Sequence, residues 1–471
     1  MKLYVILFLG LYPFFISAQC ITGNVHIFNE EKLHEFIQNF PDCDTISGNL
    51  IIGPEVAGGQ TRIINLRGLE NIKVIKGNLE IRSNQWLEDI TPLQNVQQIY
   101  GDFIYKDNPK INKNIAFKVT TIKGSVELYI SQFTSASITL PILTFVGENL
   151  SFSSFKQHGS IFPALKTIGK RLQYYTYINY CNDFNQLENV ESVTLGLRQS
   201  NVVIEMFQKL HKAESFYLET ESVSRITLSQ KMQVEYLTLN GEIPHPIQTF
   251  TQNKKYKSLS IYNIKSTKHY KEIFGNIDSI DYLLLESKTN IDTFLFLSVK
   301  CVQNAMLYGG AIKILPKIKS VKEKLQIRGM IQPDWLERYV RRDDFIPHVS
   351  INGLINTRLV GAPMLFCDIF GIEYNSSLRD IKNFDFKHIR TGLIEIIDNK
   401  IDSIHFNVNH IDLTKTQFVI KENGNLSYCP KELACSLYKN QTLFEKRKYD
   451  FIFSGNRPTC NDLYLKNECE K

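Results

Sequence analysis

The sequence predicts a mainly β chain wound as a parallel β-solenoid, with coils of about 23 residues joined by short helical or irregular corners. Three observations predict it. A short phrase recurs along the first third of the chain. An apolar-x-apolar pair then returns at regular steps to near the C-terminus. Apolar residues at steps of three precede many of these pairs.

The phrase first reads Ile46-Ser47-Gly48-Asn49-Leu50-Ile51-Ile52, then Ile75-Lys76-Gly77-Asn78-Leu79-Glu80-Ile81. It returns as Ile99-Tyr100-Gly101-Asp102-Phe103-Ile104-Tyr105 and Ile122-Lys123-Gly124-Ser125-Val126-Glu127-Leu128, and more loosely at Val146 and Ile168. The leading residues lie 29, 24, 23, 24 and 22 positions apart. Each apolar-x-apolar pair is a short strand with one buried face. The runs Leu69-x-x-Ile72-x-x-Ile75, Leu93-x-x-Val96-x-x-Ile99 and Leu187-x-x-Val190-x-x-Val193 fit neither a long helix nor a hairpin. They fit a chain that turns corners and drops one apolar residue inside at each. A single coil cannot bury its own apolar side, and stacked coils can.

Beyond residue 175 the pairs are Leu195/Leu197, Phe216/Leu218, Leu237/Leu239, Leu259/Ile261 and Leu283/Leu285. Ala305/Leu307, Leu325/Ile327, Val349/Ile351, Ile372/Tyr374, Ile394/Ile396 and Phe418/Ile420 follow. Asn stands three residues after the last anchor at Asn84, Asn108, Asn399 and Asn423. Asn tolerates left-handed backbone and bonds neighbouring main chain, so this position reads as a structural corner.

Residues 1–18 read as a signal peptide, with Lys2 ahead of the apolar Leu3 to Ile16 and small Ala18 at the cleavage site. The expected mature chain is secreted and extracellular, with no membrane span. All nine cysteines follow the leader, and no Cys-x-x-Cys suggests zinc. Nine is odd, so at least one thiol is expected to be free or to pair with a second chain. Sequons at Asn149, Asn375, Asn425 and Asn440 are expected glycosylation sites. A net charge of 54 − 48 = +6, with no long basic run, argues against nucleic acid as partner.

The phrases Cys43 to Ile52 and Leu66 to Ile81, with Asn84 and Leu87 after them, resemble the receptor L domain of the epidermal growth factor and insulin receptor ectodomains. The resemblance covers Cys20 to about Asn112 and returns at Phe418-x-Ile420-x-x-Asn423-x-x-Leu426-x-x-Cys429. It implies a right-handed, leucine-rich-repeat-like solenoid capped by disulfides. The cysteine-rich module that separates two L domains in those receptors is missing, as are a transmembrane segment and a kinase. The chain therefore looks most like the secreted, kinase-less L-domain proteins of nematodes. The expected organisation is an L domain over 19–180, a divergent solenoid region over 181–300, a second L-domain-like region over 301–435 and a cysteine-containing cap over 436–471. The resemblance implies a cap bridge between Cys20 and Cys43, whose loop gives on the order of 3 kcal/mol by chain entropy. It also implies Cys429 with Cys460, and elimination leaves Cys435 for Cys469.

No metal-ligand spacing, phosphate loop or nucleophile elbow occurs, so no cofactor and no enzymatic activity are expected. Glu373 and Glu395 read as outward residues one coil apart, without a basic partner on the ladder. Tyr175, Tyr217, Tyr262, Tyr282, Leu284, Met306 and Tyr308 read as an outward aromatic and apolar face. Tyr offers contact area with a polar end at low entropic cost. The expected function is binding of a growth-factor-like or insulin-like peptide, or of a receptor ectodomain, as a decoy or modulator of receptor tyrosine kinase signalling. The competing expectation is a structural surface-coat scaffold.

Overall fold

A computed structural model describes residues 19–428 apart from 178–182, 242–249, 264–276, 288–298, 310–317, 330–344, 354–357, 360–364, 408–415 and shorter stretches. It also describes 435, 455–461 and a few residues after them. The chain folds as a parallel β-solenoid in two compact units, residues 1–191 and 192–471.

In the first unit, one parallel ladder runs through Val25–Ile27, Leu50–Ile52, Leu79–Arg82, Phe103–Lys106, Val126–Ile130, Leu150–Ser154 and Arg171–Tyr177. Its register aligns Leu50, Leu79, Phe103, Val126, Leu150 and Leu172, the anchors of the recurring phrase. A second parallel sheet holds the dipeptide strands Thr45–Ile46, Val74–Ile75, Gln98–Ile99, Thr121–Ile122, Phe145–Val146 and Thr167–Ile168. The steps of three are tight turns between the sheets. Leu69 N donates to Leu66 O and Ile72 N to Leu69 O, each at 3.2 Å, and all three side chains are buried. Two features escaped the sequence reading. The coil at Val25–Ile27 precedes the first phrase. After it comes the helix Glu30–Asn39, capped by the Asn29 side chain, which accepts from Lys32 N at 2.8 Å.

Neighbouring coils approach closely at the Gly-Asn element of the phrase. Gly101 N donates to Gly77 O and Gly77 N to Gly48 O, both at 3.0 Å. Asn78 N donates to Asn49 Oδ1 at 2.7 Å, and Asp102 N to Asn78 Oδ1 at 2.8 Å. A Cβ on Gly77 would lie 2.2 Å from Asn49 Oδ1 and 2.6 Å from Gly48 C. Only glycine fits between coils stacked this tightly.

In the second unit the ladder runs through Ser192–Glu205, Lys212–Thr227, Gln233–Gly241, Lys255–Tyr262, Ile277–Ser287 and Val299–Gly309. It continues through Val321–Arg328, His348–Asn352, Ile369–Glu373, Leu393–Ile397 and Gln417–Lys421. Two anchors differ from the sequence reading by two residues. Phe216 and Leu218 align with Val193 and Leu195, not with Leu195 and Leu197. Val349 and Ile351 align with Phe370 and Ile372, not with Ile372 and Tyr374. In both places a third apolar or aromatic residue extended the alternation, so periodicity alone could not choose the register.

The asparagine corner is a stack of buried amides. Asn84 Nδ2 donates to Ile52 O at 3.0 Å and to Asn108 Oδ1 at 2.9 Å, and Asn108 Nδ2 donates to Ile81 O at 2.8 Å. Asn399 and Asn423 repeat the arrangement, and Asn375 and Asn456 extend it at either end. The preceding residues Ser83, Asp107, Tyr374, Asp398 and Glu422 all take left-handed φ between 51° and 59°. Each coil turns there, and the next Asn caps carbonyls that the turn leaves facing inward.

Candidate functional site

Inward anchors fix what faces outward. In the second unit, one outward column reads Tyr217, Thr238, Ser260, Leu284, Met306, Gln326, Ser350, Gly371, Glu395 and Val419. A flanking column two residues later reads Tyr262, Glu286, Tyr308, Arg328, Asn352, Glu373, Ile397 and Lys421.

Tyr262, Tyr282 and Tyr308 gather round Leu284 and Met306. Tyr282 Oη donates to Met306 Sδ at 3.7 Å. Burial raises the Tyr282 phenol pKa, with Tyr308 and Tyr262 adding to the rise and Arg328 opposing it. Arg328 Nη1 donates to Tyr308 Oη at 3.1 Å, and its guanidinium lies 5.7 Å from the Tyr308 ring centroid. Arg328 Nε donates to Asn352 Oδ1 at 3.0 Å, which fixes the guanidinium at the patch edge. Arg328 was missed from sequence because it follows its strand pair in the way the tyrosines do but carries charge. Leu284 corrects an expectation: it aligns with the outward Ser260 and Met306 yet is only 8% exposed. It offers little surface to a partner.

Tyr217 lies further along the same ladder. Its hydroxyl accepts from Asn240 Nδ2 at 3.2 Å and donates to Glu219 at 3.3 Å, and Asn263 Nδ2 donates to Asn240 Oδ1 at 2.7 Å. Tyr175 belongs to the first unit. There it aligns with Ser153 and then Tyr129, whose ring meets Phe155 edge-on at 6.0 Å.

Glu373 does not share the central column with Glu395, as the sequence spacing suggested. The central residue of that coil is Gly371, paired with Glu395. The Glu373 carboxylate bends over Gly371, with Oε1 2.4 Å from where a Cβ would stand. Burial raises the Glu395 carboxyl pKa, and Glu373 raises it further.

Cys435 and Cys469 are joined by a disulfide, and Cys43 and Cys460 each lie in one. The side chains of Cys20 and Cys429, and Cys181 altogether, lie outside the described residues. Cys301 is a half-buried free thiol. Of the sequons, Asn149 is exposed, Asn425 half-buried, and Asn440 outside the described residues, as is the leader 1–18. Asn375 corrects another expectation. It is fully buried, with Nδ2 donating to Ile351 O at 3.2 Å and to Asn399 Oδ1 at 2.8 Å, so the folded chain has no room for a glycan there.

Among the described residues, no three His, Cys, Asp or Glu side chains converge to hold a metal, and no helix is long and apolar enough to cross a membrane. The geometry defines a parallel β-solenoid with side-chain columns running along its ladder. Residues 42–120 match the family model of the receptor L domain, whose members are ligand- or receptor-binding modules and typically extracellular. The match points to that family and to no particular group of nematode proteins. No curated protein and no solved structure matches the chain.

Proposed function

We propose that the chain is a secreted, non-enzymatic binding protein. It docks a growth-factor-like or insulin-like peptide, or a receptor ectodomain, on the outward sheet of the 192–471 unit and acts as a decoy or modulator of receptor signalling. The observation that carries this reading is the gathering of Tyr262, Tyr282 and Tyr308 round Met306 with Arg328 at the edge. Tyr and Arg dominate binding hot spots because they give area and directional polar ends together. The family match over 42–120 supports the general class.

The test is a binding titration of the purified full chain against insulin-like peptides, epidermal-growth-factor-like peptides and receptor ectodomains. One of them should bind, and Tyr262→Ala with Tyr308→Ala should weaken it at least tenfold, about 1.4 kcal/mol. Unchanged affinity in a folded double variant would move the docking face elsewhere. No binding at all, with the protein recovered from an insoluble matrix, would favour the scaffold reading.

A further inference from the structure

We propose that Glu373, Glu395 and Ser350 form a site for a hard divalent cation of the calcium class on the outward face of the 192–471 unit. Three consecutive coils build it. Ser350, Gly371 and Glu395 align in register along the ladder. Parallel strands are spaced about 4.8 Å apart. The Glu373 carboxylate, with Oε1 over Gly371, sits on the strand that separates Ser350 from Glu395 in this column.

The groups present lack the partners their burial calls for. Ser350 is completely buried, and its Oγ has no hydrogen-bond partner. Buried hydroxyls are nearly always bonded, so one facing a carboxylate pair points to an absent ligand. Among the described residues, the side chain of neither Glu373 nor Glu395 makes a salt bridge or hydrogen bond. Lys421 and Lys324 act on Glu395 only at longer range, and Arg328 is held by Tyr308 and Asn352. His348 precedes Ser350 by two residues on the same face. Its Nε2 also lacks a partner. Neither carboxylate is therefore held in a direct ion pair.

A proton shared by the pair would neutralise one charge and leave the hydroxyl unmet. A cation takes oxygen from both carboxylates and the hydroxyl at once. Calcium accepts six to eight oxygens in irregular geometry, with water completing the shell, whereas magnesium demands a near-octahedral set. Few protein oxygens make a weak site, with a Kd on the order of 10⁻⁴–10⁻³ M, the range of extracellular modules.

The test is calorimetric titration of calcium into the chelator-treated full chain at neutral pH. One saturable site in that range is expected. Glu395→Gln and Glu373→Gln should each weaken it tenfold or more, Ser350→Ala should weaken it measurably, and Glu127→Gln in the first unit should leave it intact. Circular dichroism checks that each variant folds. Should Glu395→Gln fail to fold, Glu373→Gln decides, since that side chain only lies over a glycine. Absence of saturable heat, or unchanged binding in the folded glutamate variants, would overturn the proposal. So would a stability that responds to pH but not to calcium, because a proton would then be what neutralises the pair.

Discussion

Replacing Asn399 by Ala should cost far more than its small size suggests. Its Nδ2 donates to Ile372 O at 2.9 Å and to Ile397 O at 3.0 Å, and its Oδ1 accepts from Asn375 N at 3.0 Å and Asn375 Nδ2 at 2.8 Å. Alanine leaves at least Ile372 O and Asn375 N buried without these partners. Each orphaned buried group costs about 1–3 kcal/mol, so the variant should lose about 3 kcal/mol or more. Urea unfolding should show a lower midpoint at unchanged slope, and hydrogen exchange at the Asn375 amide should accelerate. Ser376→Ala, one residue beyond the corner and exposed, should change stability by less than about 0.5 kcal/mol. A loss below about 1 kcal/mol at Asn399, with Asn375 exchange unaltered, would refute the idea that the amide stack holds the coils together.

Gly77→Ala should destabilise the first unit by about 1–3 kcal/mol, seen in thermal melts, because the added Cβ meets the main chain of the preceding coil. Glycopeptide mass spectrometry of protein secreted from a eukaryotic host should find Asn149 occupied and Asn375 bare, since only the first is open to solvent. In the presence of chelator, stability should rise as pH falls through the Glu395 pKa. Its raised folded value means the ionised form is penalised by the fold, so the penalty is present above that pKa and relieved below it. Glu395→Gln should flatten that part of the pH profile in denaturant titrations.

Much of the solenoid was legible because its repeat is written in side chains that must be inside. Leu50, Leu79, Phe103, Val126, Leu150 and Leu172 align in the ladder as their spacing required. The two misplaced anchors show the limit. Taking Ile372/Tyr374 instead of Phe370/Ile372 also hid Asn375 from the corner pattern, because it stands three residues after Ile372 rather than after Tyr374. The same two-residue shift put Glu373 in the wrong column and concealed Gly371, the gap into which its carboxylate folds. The tyrosine face was legible in which residues point outward. How far they cover one another was not, as the buried Leu284 shows, because that depends on rotamers and on neighbours a coil away.

The most direct test of the binding account is hydroxyl-radical footprinting of the full chain with and without its ligand, read at single side chains. Tyr262, Tyr282, Met306 and Tyr308 should be protected together when the ligand is bound, while Tyr129 and Tyr175 on the first unit should react unchanged. Protection at Tyr129 and Tyr175 with the four residues of the 192–471 unit unaffected would contradict it.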